Sequence, residues 1–123
     1  IQALSHGRFL LGTGVGYLDA EFKALGVPRQ RRGKLNDELL ELIHDAASSD
    51  VIEQHGQALR LAPRLTRPPI YIGGAAAASL GRTVRYGDGW MPVGLGPDEL
   101  APHARTLQTM AREAGRPPLE VVL

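Results

Sequence analysis

The sequence predicts an α/β fold in which parallel strands alternate with helices packed outside them. Short apolar runs closed by glycine or proline recur at residues 9–14, 70–73 and 89–92. Amphipathic helical stretches separate these runs, and the order strand, helix, strand, helix never crosses back. Such a pattern suits an open doubly wound sheet or part of a β/α barrel, and periodicity does not choose between them.

The elements follow in order. Phe9, Leu10 and Leu11 lead into Gly12-Thr13-Gly14, the signature of a buried parallel strand entering a loop. Residues 19–25 form a short helix stopped by Gly26 and Pro28. A longer helix follows, with Leu35, Leu39, Leu42, Ile43 and Ala46 on one predicted core stripe. Its basic opening, Arg29, Arg31, Arg32 and Lys34, is answered by Asp37, Glu38 and Glu41 and reads as a solvated helix end. Residues 51–61 carry His55-Gly56 between two extended segments and predict an inserted hairpin. After Pro63, Pro68 and Pro69, the run Ile70-Tyr71-Ile72 makes a second strand, ended by Gly73-Gly74 and followed by a helix over 75–86. Residues 89–92 make the third strand. Pro97 opens a helix whose stripe is Leu100, Ala104, Leu107 and Ala111, and Gly115 ends it. Residues 119–123 begin a fourth strand. Stopping inside an apolar strand, the chain is expected to be part of a longer protein, and marginally stable in isolation because sheet edges would lie open.

Composition narrows the function. The 123 residues are 43% hydrophobic and 22% charged, with a net charge of +1 spread among both signs, so no one-sided basic footprint for nucleic acid exists. The absence of cysteine excludes disulfides, thiolate nucleophiles and Cys-type zinc sites, and His6, His44, His55 and His103 lack metal-like spacing. Apolar runs fall well short of the ~20 residues that cross a bilayer, and no secretory leader pattern is visible; the expectation is a cytoplasmic protein without membrane partners.

Gly12, Gly14 and Gly16 alternate, but a dinucleotide fingerprint needs its third glycine three positions after the second, where Tyr17 stands. They read either as a strand end permitting close backbone approach or as part of a binding face. Gly73 and Gly74 close a strand just before a helix, so their N–H groups, with those of Ala75 and Ala76, can converge on an anion aided by the helix dipole. Ser79 can add a hydroxyl. The alternative is a tight turn that merely requires glycine. Trp90, the only tryptophan, either walls a pocket for a flat ring or packs in the core, and Asp88 either lines that pocket or steadies a turn.

The segment Gly7-Arg8-Phe9-Leu10-Leu11-Gly12-Thr13-Gly14-Val15-Gly16-Tyr17, followed by Glu21-Phe22 and Leu25-Gly26-Val27-Pro28, resembles the bacterial luciferase-like monooxygenase family, most closely its deazaflavin-using branch. Three further matches fall in the family's order: Arg31-Arg32-Gly33, Pro69-Ile70-Tyr71-Ile72-Gly73-Gly74, and Arg85-Tyr86-Gly87-Asp88-Gly89-Trp90. The resemblance implies a partial TIM-type (β/α) barrel comprising its fourth to sixth strands and the start of the seventh, without the first three or the eighth. It implies a flavin- or deazaflavin-dependent oxidoreductase, with coenzyme F-420 preferred and FMN the alternative, acting on a small organic substrate by hydride transfer or monooxygenation. A homo-oligomer is possible for the longer protein. Cofactor contacts are then expected at Gly14, Gly16, Tyr17, Gly73, Gly74, Ala75 and Ser79, with Asp88 and Trp90 at the substrate pocket. Ala75-Ala76 replaces residues that are often polar in relatives, which leaves backbone contacts to the phosphate. Tyr17 stands where some deazaflavin dehydrogenases carry an acidic glutamate, and a phenol titrating near pH ~10 is a poor donor at neutral pH, which disfavours sugar-phosphate oxidation. No catalytic residue is assigned. The competing readings are an inactive fragment and a non-enzymatic phosphate-binding α/β module.

Overall fold

A computed structural model describes residues 1–75 and 77–123 as two compact units, one of Ile1–Phe9 with Leu18–Pro68 and one of Leu10–Tyr17 with Pro69–Leu123. The second unit holds a four-stranded sheet in the order β1 (Leu11–Thr13), β4 (Ile70–Gly73), β5 (Gly89–Met91), β6 (Glu120–Val121). Every neighbouring pair is parallel. The alternation of strand and helix thus produces the parallel sheet it predicts, although β1 is shorter than residues 9–14 and β5 ends one residue before Pro92. Phe9 belongs to the other unit, and Leu10 precedes the first ladder pair, Leu11 with Ile70.

Helices α3 (Ala77–Tyr86) and α4 (Pro97–Glu113) pack on each other, and α3 also packs on β4 and β5. Between them, Leu80, Trp90, Leu107, Ala111 and Leu119 form one buried cluster, with Val84, Leu100 and Val121 packed against it. The predicted α4 stripe supplies Leu107 and Ala111 to this core. Pro97 occupies the first turn, where its missing N–H costs nothing, and the Glu99 carboxylate accepts a hydrogen bond from the Gly96 N–H at 3.0 Å. At the far end Gly115 takes the left-handed φ of 68° that closes such helices. Arg116 then donates to the Thr83 and Val84 carbonyls at 3.1 and 2.7 Å, satisfying the C-terminal end of α3. Gln108 splints β6 to α4: its amide donates to the Leu119 carbonyl at 2.7 Å and accepts from the Leu119 N–H at 3.1 Å.

In the first unit, α1 (Asp19–Ala24) and α2 (Arg32–Ser48) precede an antiparallel hairpin of β2 (Val51–Gln54) and β3 (Gln57–Arg60), as the His55-Gly56 turn predicts. His55 and Gly56 have φ of 52° and 74°, the paired positive angles of a two-residue turn that matches strand twist. The predicted α2 stripe needs correction. Ala46 is buried as expected, but Leu39 is half exposed, whereas Leu40 and Asn36, outside the predicted line, are buried. The covered face runs through 36, 40, 43, 46 and 47, so it departs from the predicted line by about one residue in the first half of the helix and meets it at 43 and 46. The basic opening is solvated as expected, with Lys34 and Glu38 paired at 3.6 Å on exposed side chains. Arg64 donates to the Ala47 and Ser48 carbonyls at 3.1 and 2.9 Å and so closes the end of α2. Among the described residues, no helix is long and apolar enough to cross a membrane, and no cluster of three metal-ligating side chains occurs.

Candidate functional site

Because all four strands of the sheet run in one direction, their carboxyl ends share one rim, the position at which α/β folds bind ligands. Gly14, one residue past β1, and Gly73, the last residue of β4, meet at this rim. A Cβ on Gly73 would stand 3.3 Å from the Thr13 carbonyl oxygen and 3.9 Å from the Gly14 Cα, so glycine permits this close approach of two strand ends. Gly74 has φ of 125°, a conformation that L side chains rarely adopt. Gly16 is also left-handed, at 74°, and Tyr17 is 76% exposed beyond it.

The hydrogen bonds around Gly74 revise which groups face a ligand. Its N–H donates to the Met91 carbonyl at 3.2 Å, so this expected anion donor is already committed to β5. Its carbonyl accepts two bonds, from the Trp90 indole N–H at 2.6 Å and from the Ser79 hydroxyl at 2.9 Å. Ser79 is 4% exposed and directs its hydroxyl at the loop's own backbone, not outward as a phosphate contact would require. Across a trans peptide the C=O and N–H point in opposite directions, so the Ala75 N–H points away from Trp90 and Ser79. Ala76, also expected among the donors, lies outside the described residues.

Both expected pocket residues are placed elsewhere. Asp88 sits at the amino end of the sheet, opposite the glycine rim. Its carboxylate accepts from the Ile70 N–H at 2.8 Å, its own N–H donates to the Ile70 carbonyl at 2.7 Å, and its carbonyl accepts from the Glu120 N–H at 3.2 Å. It staples three strand starts together. Trp90 is fully buried in the helix-facing core, its ring edge-on to His103 at 6.2 Å between centroids. The wall of an open pocket would need an exposed ring face.

The opposite face of the sheet holds a pair that no local motif announces. Ladder register aligns Gly12, Tyr71, Gly89 and Glu120 in one row. The Tyr71 ring lies across Gly89, where a Cβ would fall 2.5 Å from its Cε1, and its hydroxyl donates to the Glu120 carboxylate at 2.5 Å. The bond to Glu120, then desolvation and the nearby carboxylate charges of Glu120 and Asp88, raise the Tyr71 pKa above the ordinary 10.0.

A parallel sheet with helices on one face and strand ends brought close through glycine fits the class: a sector of a β/α barrel. The chain belongs to the luciferase-like monooxygenase family, whose pattern it matches over residues 1–123. Uncharacterised proteins of Mycobacterium tuberculosis and Mycobacterium bovis are each 35% identical to it over 122 residues, covering 94% of this chain and 42% of theirs. Among solved structures, monooxygenase RslO1 from Streptomyces bottropensis is similar with a TM-score of 0.77 and 25% identity, over 95% of this chain and 39% of that one. An F420-dependent secondary alcohol dehydrogenase, in complex with an F420-acetone adduct, shares the fold with a TM-score of 0.72 and 23% identity, over 98% and 40% of the two chains. The chain thus spans about two fifths of the length of these relatives, and its parallel sheet fits part of a barrel.

Proposed function

We propose that this chain forms the fourth to sixth strands and the start of the seventh in a flavin- or deazaflavin-dependent oxidoreductase, with coenzyme F-420 preferred over FMN and a small organic molecule as substrate. The single observation that carries this reading is the loop at the end of β4. There Gly74 adopts its left-handed conformation, its carbonyl is held on the helix side, and the Ala75 N–H turns the other way just before α3. That arrangement fits a phosphate: no side chain obstructs approach at Gly73 and Gly74, and the N-terminal end of α3 contributes a favourable dipole. When bound, the isoalloxazine-type ring would supply the redox chemistry, and the Ala75 N–H at this unobstructed loop would hold the cofactor phosphate. The preference for F-420 rests on the resemblance of the Gly7–Tyr17 segment, with Glu21-Phe22 and Leu25-Gly26-Val27-Pro28 after it, to the deazaflavin branch. Membership in a family named for monooxygenases keeps FMN with oxygen chemistry as the second reading. We place the protein in the cytoplasm and propose a homo-oligomer for the longer protein.

The test is a Gly74→Val variant of the intact protein, titrated with FMN against riboflavin and with F-420 against its phosphate-free deazaflavin. A branched side chain at this φ forces the loop out of shape. Loss of the charge-assisted hydrogen bond from the Ala75 N–H, at ~1.5 to 3 kcal/mol, predicts binding of the phosphate-bearing cofactor weaker by roughly one to two orders of magnitude. The phosphate-free forms should lose little. Equal losses for both forms in a folded variant would mean that the glycines shape the pocket generally.

A further inference from the structure

We propose that Trp90 is a positioning residue for anion recognition: with Ser79, its indole N–H pins the Gly74 carbonyl and thereby fixes which pole of the following peptide faces the ligand. The inference rests on the phosphate reading above. At φ of 125°, Gly74 lacks the steric restraints that hold other residues in one conformation. A flip of the Gly74–Ala75 peptide plane would exchange its carbonyl for its N–H, so a peptide dipole of about 3.5 D would present oxygen, not hydrogen, to an anion. One orientation attracts phosphate and the other repels it.

Two donors from different elements oppose that flip. Ser79 reaches the carbonyl from the first turns of α3 at 2.9 Å, and Trp90 reaches it from β5 at 2.6 Å. The indole is the less movable of the two. It is 0% exposed and wedged among Leu80, Leu107, Ala111 and Leu119, and a ring in a close-packed core cannot follow a displaced loop. The Gly74 N–H bond to Met91 anchors the same residue to the same strand, so the loop is referenced to β5 on both sides of its α-carbon. Trp90 therefore acts on the ligand through Gly74 and touches no cofactor itself.

Trp90→Phe tests this, because it keeps an aromatic ring in the core and removes only the donor and part of the ring. In the intact protein, FMN and F-420 should bind about five- to tenfold more weakly, the worth of one hydrogen bond. Riboflavin and the phosphate-free deazaflavin should be unaffected. In the wild type, the Trp90 indole N–H resonance should move when FMN is added and stay when riboflavin is added. Should Trp90→Phe fail to fold, Ser79→Ala removes the other donor to the same carbonyl and carries the same expectation. Equal weakening of phosphate-bearing and phosphate-free forms, or no weakening, would reduce Trp90 to a packing residue. Gly74→Val separates the two ideas. If it abolishes phosphate discrimination while Trp90→Phe preserves it, the clamp alone is overturned; if neither changes discrimination, the phosphate reading fails and takes the clamp with it.

Discussion

Substituting alanine for glycine at two positions in this sheet-and-helix unit should change stability in opposite directions. At Gly89 the new Cβ would lie 2.5 and 2.6 Å from Tyr71 ring carbons and 3.2 Å from the Glu120 Cβ. Carbon atoms rest comfortably at about 3.5 to 4.0 Å, so the ring must retreat by about 1 Å. That retreat stretches the Tyr71–Glu120 bond from 2.5 Å towards the limit of hydrogen bonding. A bond to a charged acceptor contributes about 1.5 to 3 kcal/mol, with the lower end fitting this partly exposed pair. Alanine restricts the unfolded chain and returns about 0.4 to 1 kcal/mol. The balance for Gly89→Ala is a loss of about 1 kcal/mol. Gly81, inside α3, has nothing within 4 Å of its Cβ position, so Gly81→Ala should gain about 0.5 to 1 kcal/mol from helix propensity and unfolded-state restriction. Urea midpoints at constant m-value measure both in the intact protein, and the tyrosinate absorbance of Tyr71, isolated by difference from a Tyr71→Phe variant, should shift to lower pH in Gly89→Ala. An unchanged titration with unchanged stability would show that the ring does not lie across Gly89.

Three further outcomes follow from the same structure. Leu107→Ala empties a fully buried position in the cluster around Trp90 and should cost about 2 to 5 kcal/mol by denaturant unfolding. Tyr71 keeps its proton more tightly folded than unfolded, so its contribution is complete below the unfolded value near 10.0 and declines as pH rises through the higher folded value. Stability profiles of wild type and Tyr71→Phe should therefore run parallel at neutral pH and converge above about pH 10; continued separation there would refute the assigned direction. Gln108→Ala removes both partners of the Leu119 backbone and should speed amide hydrogen exchange at Leu119 well beyond any change at Leu11, which bonds to the Pro69 carbonyl.

The first three parallel strands were legible because each is a short apolar run bounded by glycine or proline, and the hairpin because His55-Gly56 suits only a narrow choice of turn. The face of α2 was harder to read. Leu39 and Leu40 are adjacent, either could centre an apolar stripe, and the buried line passes through Asn36, which hydrophobicity alone would discard. At the site, the glycines announced the rim but not the hydrogen bonding that commits the Gly74 N–H and carbonyl elsewhere. Trp90 is 16 positions from Gly74, and Tyr71 is 49 positions from Glu120. Both pairings depend on strand register, which a single sequence does not display. Asp88 offered the right chemistry for a pocket, yet its place at the start of β5 put it at the wrong end of parallel strands.

The β2–β3 hairpin closes its ladder on itself as a separate two-stranded sheet, and the Leu61 N–H returns to the Asp50 carbonyl at 2.8 Å. The chain thus leaves and re-enters at nearly one point, so lengthening the excursion at His55-Gly56 disturbs no ladder bond of the parallel sheet. Here the polypeptide has a cassette site, where a peptide tag or a foreign loop can be grafted and where natural variants can acquire new surface, while the strand order of the barrel sector stays the same.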